Sequence, residues 1–308
     1  VRILVTGGAG FIGSHIAEAY LAQGHQVTVL DNLSKGKREN IPNGAEFIEG
    51  DIRDRKVREL LADLKIEVIN HHAAQMDVRF SVADPLFDAE VNILGMLNLL
   101  EGARAAGVKQ FIFASTGGAV YGEQEQFPAP EEHPLRPLSP YGITKLTGEK
   151  YLFYYNQVHG LNYFVLRYSN VYGPRQNPHG EAGVVAIFCN KMLAGEQPVI
   201  NGDGTQTRDY VYVKDVVKAN LAALGYPQPE VVNIGTAKET DVNTIFRVIR
   251  DAINPEIPEY HGPPKAGEQQ RSVVAIEKAA RVLNWKPEYS LEEGLAETVE
   301  WFKANYKG

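Results

Sequence analysis

The stretch ILVTGGAGFIGSH, Ile3 to His15, decides the fold. A short apolar run ends in a glycine-rich turn, and a helical pattern, FIGSHIAEAYLAQG, begins inside that turn. Gly8, Gly10 and Gly13 read G-x-G-x-x-G, while Gly7, Gly10 and Gly13 read G-x-x-G-x-x-G. Glycines at these spacings serve a tight turn, the close approach of a pyrophosphate to backbone N–H groups, and tight packing of helix on strand. The helix N-terminus behind them favours negative charge. Such a match carries weight only between a strand and a helix, which is its context here. The next strand, QVTVLD, ends at Asp31, where an acid bonds adenosine ribose hydroxyls and repels a 2′-phosphate, favouring NAD over NADP. A turn aspartate is the plain alternative, and Lys35, Lys37 and Arg38 behind it would admit a phosphate.

Outward from this loop, RILVT, QVTVL, EFIEG, EVINH, QFIFAS and YFVLR read as strands. Helix patterns such as PLFDAEVNILGMLNLLEGARAAG separate them. This alternation predicts an α/β fold with a doubly wound parallel sheet and right-handed crossovers, its ligands lying beyond the carboxyl ends of the strands. After about residue 168 the chain loosens into long Gly- and Pro-rich loops, punctuated by helices near 183–194, 241–253 and 291–304. Long loops in a compact chain tend to bind ligands. The expected division is a dinucleotide-binding Rossmann domain over 1–168, completed by about 209–237, with a smaller C-terminal α/β substrate domain over 169–208 and 238–308.

Bulk properties narrow the function classes. The 308 residues are 44% hydrophobic and 22% charged, ordinary for a globular protein, and the formal net charge is −7. That balance argues against nucleic acid as a partner, since phosphate backbones demand a basic face. The single cysteine, Cys189, lies in the apolar helix pattern VVAIFCNKM and reads as core packing, compatible with a reducing cytoplasm. The opening VRILVTGG reads as a strand and not as a signal peptide, and no apolar run reaches membrane-spanning length. The expectation is a cytoplasmic protein with no membrane partner. Asp51, after the third strand, would bond an adenine or cap the next helix. His71 and His72 point to opposite faces of a strand and share no metal, so no metal is expected; backbone at His72, Ala73 and Ala74 would line the cofactor cleft.

SPYGITK, Ser139 to Lys145, opens another helix, with Ser139 as N-cap and Pro140 at the first helical position. Tyr141 and Lys145 then share one face. An arbitrary Y-x-x-x-K is usually a packing tyrosine beside a surface lysine. Here it stands in order with TGGAGFIG, the Asp31-Asn32 pair, STGGAVYGE, LRYSNVYGPR and NGDGTQTRDYVYVKDV, and this series resembles the extended short-chain dehydrogenase/reductase family over essentially the whole chain. Within it the chain is most similar to the NAD-dependent sugar-nucleotide epimerases and dehydratases, and among those to the UDP-galactose (UDP-glucose) 4-epimerases.

The resemblance implies that Tyr141 is the acid/base and Lys145 its partner, the ammonium favouring a phenolate that is scarce at neutral pH in an isolated phenol. It implies a hydroxyl after the fifth strand. Counting forward from FIF gives Thr116, with Ser115 second, whereas counting back from VYG gives Gly117, because this loop is one residue longer than in many relatives. Gly117, Gly118 and Ala119 stand where the 4,6-dehydratases carry an Asp-Glu pair, which argues against dehydration and against the related decarboxylation. By the same resemblance, Gly7, Gly10, Phe11, Ile12, Gly13, Asp31, Asn32, Asp51, Ile52, Ala73, Ala74, Asn92, Tyr141, Lys145 and Tyr168 hold NAD.

On the substrate side the resemblance places Asn170, Arg208 and Lys265 at the diphosphate, Glu268 at a ribose hydroxyl and Ser272 behind the hexose. For Arg208 an ion pair with Asp203 or Asp209 is the plain alternative. Lys265 and Glu268 replace an arginine and an aspartate usual in the family, and lysine supplies charge without the bidentate fork. Ser272, where a bulky tyrosine would exclude N-acetyl sugars, leaves room for them. The implied activity is reversible 4-epimerisation of a UDP-hexose through a 4-keto stage with tightly bound NAD, in a homodimer built on helices near 85–106 and 140–159. The rivals are a 4-epimerase of UDP-glucuronate or of a nucleotide sugar with another base, with Arg79 or Arg175 either pairing a carboxylate or fixing its own loop by an ion pair, and a silent NAD- or nucleotide-sugar-binding sensor, for which a proton shuttle would be superfluous.

Overall fold

The computed structural model describes residues 1–179, 183–265 and 269–306. It divides into two compact units, one of 1–122, 134–167 and 217–232, the other of 123–133, 168–216 and 233–308. The first is a Rossmann-like α/β unit on a parallel sheet, and the second is a smaller α/β unit.

In the first unit, strands β1 (Arg2–Thr6), β2 (Gln26–Asp31), β3 (Glu46–Glu49), β4 (Val68–His71), β5 (Gln110–Thr116) and β6 (Asn162–Tyr168) alternate with helices α1 (Phe11–Ala22), α2 (Lys56–Asp63), α3 (Val78–Ala83), α4 (Pro85–Ala89), α5 (Met96–Ala106) and α6 (Pro140–His159). With the strand Glu230–Ile234 they form a seven-stranded sheet in the order Glu230–Ile234, β6, β5, β4, β1, β2, β3. β1 pairs in parallel with β2 on one side and β4 on the other, so the order reverses beside β1 and the cleft opens at its carboxyl end. The strands read as near-continuous apolar runs because helices cover both faces: Ile3, Leu4, Val5, Ile69, Phe111 and Ile112 are fully buried. Leu99 and Leu100 of α5 and Leu152 of α6 complete one core cluster.

The helix pattern expected over 85–106 is interrupted. Between α4 and α5, residues Glu90–Gly95 form a π-helical turn. Such turns rotate one residue out of the 3.6-residue register, and here they present Asn92 to the interior at 5% exposure.

In the second unit, Asn170–Tyr172 pairs with Tyr210–Tyr212, and Thr207–Arg208 lies between Thr240–Asp241 and Arg271–Ser272. Helices Val184–Leu193, Val242–Ile253 and Leu291–Asn305 supply its core, where Phe188 and Phe246 meet edge to face at 5.4 Å. Cys189 is fully buried there, as packing requires. Among the described residues no helix is long and apolar enough to cross a membrane.

Candidate active site

The glycine turn after β1 is shaped by contacts that exclude a side chain. Gly7 has φ +69°, and a Cβ there would lie 2.6 Å from the Ala73 amide nitrogen. A Cβ at Gly13 would be driven into the Gly7 carbonyl. The turn thus packs against the His72 and Ala73 backbone while the first amides of α1, at Phe11, Ile12 and Gly13, have no intrahelical acceptor. With no acidic residue in that first turn, the cradle fits a pyrophosphate.

Asp31 sits at the tip of β2, 8% exposed, and each of its oxygens takes one backbone amide: Oδ2 from Ala9 at 3.0 Å and Oδ1 from Leu33 at 2.8 Å. Burial pushes its carboxyl above the ordinary range, and the two amides oppose that shift. A carboxylate oxygen has a second lone pair, so a ribose diol fits beside both amides. Of the basic residues behind it, Arg38 is paired with Glu49 at 2.5 Å and lies over the Phe47 ring, while Lys37 faces Glu39 at 3.9 Å. Asn32 donates to Asp51 Oδ2 at 3.0 Å. Asp51 caps no helix: Arg55 is the N-cap position of α2. Its carboxylate is held down to about 2 chiefly by Arg53, which grips it through Nε and Nη2 at 2.9 and 2.8 Å. Ile52 is buried at 4% exposure against the position of Gly95.

Beyond β4 the chain turns over Thr6, whose hydroxyl accepts from the Ala73 amide at 3.3 Å and lies 2.7 Å from His71 Nδ1. His71 is buried and stacked on Phe113, and burial holds both histidines well below the usual imidazole range. Asn92, expected at the cofactor, has its amide engaged within the protein. Its oxygen accepts from the Gln75 backbone at 2.8 Å, and its nitrogen donates to the Gln75 carbonyl at 2.8 Å and to Asp88 at 3.1 Å. Asp88, fully buried, also accepts from Gln75 Nε2 at 2.8 Å and Thr144 Oγ1 at 2.9 Å. This cluster joins the loop after β4 to α6, and sequence reading missed Asp88, Gln75 and Thr144. The available signal was a carboxylate one helical turn before Asn92 inside an apolar pattern.

On α6 the Ser139 side chain caps the Gly142 amide at 3.2 Å and Pro140 occupies the first turn. Tyr141 is half-buried and Lys145 is 5% exposed, so this lysine is not a surface residue. Its Nζ donates to the Ala114 carbonyl at 2.9 Å, 4.9 Å from the Phe113 ring centroid and 5.9 Å from that of Tyr141. Burial lowers the ammonium to about 8, with Asp88 pulling the other way. Thr116 ends β5 half-buried, and its hydroxyl makes no hydrogen bond among the described residues. Ser115, 4% exposed, donates instead to Glu149 at 2.6 Å. The arrangement can hold an ammonium beside a phenol and offer one spare hydroxyl, which suits proton transfer at an alcohol.

The remaining candidates lie in the second unit. Tyr168 is 5% exposed at the end of β6. Asn170 is exposed, its amide bonded to the Asp209 carbonyl at 2.9 Å. Arg208 stands opposite Ser272 in register, and its Nη1 donates to the Thr207 carbonyl at 2.7 Å. Asp209 is taken up by Thr236 and Ala237, and Asp203 by Thr205. Ser272 is 3% exposed and its carbonyl accepts from the Asp209 amide at 2.9 Å. Lys265 lines a cavity of about 720 Å³ with Asn201, Gln206, His261 and Gln270. Glu268 lies outside the described residues. Among the described residues no three His, Cys, Asp or Glu side chains gather as a metal site.

Known proteins resemble this chain in both sequence and fold. The NAD dependent epimerase/dehydratase family matches residues 3–235. A putative UDP-glucose 4-epimerase of Methanocaldococcus jannaschii is 50% identical over 98% of this chain and 99% of its own. The crystal structure of a UDP-glucose 4-epimerase from Thermotoga maritima with UDP-glucose superposes with a TM-score of 0.96 at 49% identity, covering 99% of both chains. That of a UDP-glucose 4-epimerase from Thermus thermophilus in complex with NAD gives 0.93 at 45% identity, covering 99% of this chain and all of the other.

Proposed function

The chain belongs to the NAD dependent epimerase/dehydratase family, and on that premise we propose that it interconverts the C4 epimers of a UDP-hexose, UDP-glucose and UDP-galactose first among them, with tightly bound NAD. The observation that carries this reading is Tyr141 beside the buried Lys145 ammonium, next to a Gly117–Gly118–Ala119 loop that offers no carboxyl for dehydration.

Gly7, Gly10, Phe11, Ile12 and Gly13 would hold the cofactor's pyrophosphate through backbone amides, and Asp31 its adenosine ribose. Asn32, Asp51 and Ile52 would border the adenine, with Ala73, Ala74, Lys145 and Tyr168 toward the nicotinamide end. NAD, when bound, supplies a reversible hydride acceptor, which oxidation of the alcohol at carbon 4 requires. Tyr141, as phenolate, takes the proton of the 4-hydroxyl and returns it after the 4-keto sugar has presented its other face. Lys145 favours that phenolate by its charge, and Thr116 hydrogen-bonds the same oxygen. Asn170, Arg208 and Lys265 would hold the diphosphate so that only the hexose turns. Substrate and product share one oxidation level, so no external reductant is consumed.

Small Ser272 favours acceptance of N-acetylhexosamines as well. A Ser272→Tyr variant is expected to lose UDP-N-acetylglucosamine turnover while keeping that of UDP-glucose.

The deciding experiment incubates the purified protein with UDP-galactose and no added NAD, following UDP-glucose by chromatography and NAD in the denatured supernatant. Conversion to an equilibrium mixture with released NAD is expected. Bound NAD without conversion would move the substrate to another nucleotide sugar.

A further inference from the structure

The loop that carries the spare hydroxyl has Gly117 and Gly118 at its centre, residues with no side chain to pack and the greatest backbone freedom. Its conformation is set outside the two glycines, by a turn bond from the Val120 amide to the Thr116 carbonyl at 3.3 Å and by what holds its two ends. At one end Ser115 donates to Glu149 Oε1 at 2.6 Å. At the other, the Tyr121 hydroxyl accepts from Arg167 Nη1 at 3.0 Å, with the guanidinium 5.2 Å from the Tyr121 ring centroid. Glu149 and Arg167 close on each other through two bonds, Nε to Oε1 at 2.9 Å and Nη2 to Oε2 at 2.6 Å, and both side chains are 4% exposed. Glu149 lies one helical turn beyond Lys145 on α6, so a single buried pair ties both ends of the loop to the helix of Tyr141.

We propose that Glu149 and Arg167 are positioning residues that, through Ser115 and Tyr121, fix Thr116 relative to Tyr141 for the proton transfer. The inference rests on the epimerase reading above. A bidentate arginine–carboxylate pair in a low-dielectric interior is stiff and directional. Buried ion pairs are often no more stabilising than apolar residues of equal volume, which leaves geometry as the pair's contribution. It also assigns the two hydroxyls: that of Ser115 is committed to the carboxylate, and that of Thr116 is left for the substrate oxygen.

Truncating Glu149 or Arg167 alone would strand a buried charge and endanger folding. The arms are cut instead, with Ser115→Ala, Tyr121→Phe and the double variant. Measured are kcat and KM for UDP-galactose, bound NAD, and hydrogen exchange of the 116–121 amides. Each single variant is expected to lower kcat about tenfold and the double about a hundredfold, the scale of a small misplacement of a reacting group. KM and NAD content stay at the wild-type level, and the loop amides exchange faster while α6 stays protected. Tyr121→Phe is the sharper arm, because its hydroxyl contacts the guanidinium and its loss cannot imitate loss of a catalytic serine. Lower kcat without faster exchange, faster exchange without lower kcat, or a loss residing in KM or NAD content each overturns the proposal. A wild type inert toward UDP-galactose would sink the epimerase reading and not the clamp, which loop exchange would then decide alone: faster exchange in the variants upholds it, unchanged exchange ends it.

Discussion

The proposed chemistry rests on one buried ammonium. Lys145 has an ordinary value of 10.5 and burial brings it to about 8. The folded value lies below the unfolded one, so the stability forfeited by the charge is restored above pH 10.5 and lost as pH falls from 10.5 to 8. At about 1.4 kcal/mol per pKa unit the cost of keeping the ammonium at neutral pH is about 3 kcal/mol. A Lys145→Met variant is therefore expected to unfold at higher urea concentration than the wild type at pH 7, by about 1 kcal/mol or more, with the gap narrowing by pH 10 and turnover lost at both. In the wild type, kcat/KM should decline above pH 8 as the ammonium of the free enzyme deprotonates, which a pH–rate profile at low substrate reads directly. Tyr141→Phe removes the proposed proton carrier and is expected to lower kcat by about 10² to 10⁴ while NAD stays bound, checked by turnover and by NAD release on denaturation.

Elements hold these groups by different means. The turn before α1 depends on absent side chains: Gly13 abuts the Gly7 carbonyl so closely that Gly13→Ala must push the helix off the strand. Loss of copurifying NAD is expected from that change, with destabilisation of about 1–3 kcal/mol, read from released NAD and from thermal unfolding. The helix carrying Tyr141 depends on a cap, and Ser139→Ala should cost about 1 kcal/mol in denaturant unfolding with kcat little changed. Its start was legible because Ser-Pro is local turn chemistry. The π-helical turn at Glu90–Gly95 was not legible, since PLFDAEVNILG fits an ordinary helix pattern equally well. What selects it is the demand of Asn92 for Gln75 and Asp88, partners fixed only after the loop beyond β4 has folded back.

For the whole molecule, the first unit displays large apolar side chains at its surface. Leu86 (76% exposed) and Leu94 (59%) lie on the 85–106 helical stretch, and Ile143, Tyr154 and Val158 share a face of α6. Apolar side chains so exposed are what a second copy would cover, the two copies pairing as a helical bundle. Sedimentation is expected to report a dimer, with the Tyr154→Asp, Val158→Asp double variant dissociating it. The sequence by itself determined the Rossmann-like class, the glycine turn between β1 and α1 and the Tyr141–Lys145 spacing, because alternation, glycine placement and a four-residue helical step are local properties. The tertiary structure alone decided that Ser115 serves Glu149, that Asn92 serves Gln75, and that segment 123–133 joins the second unit, where Gln124 accepts from the Val273 amide at 3.0 Å. Those partners stand 34, 17 and 149 residues apart, and a buried polar group bonds to whatever the packed interior brings within reach.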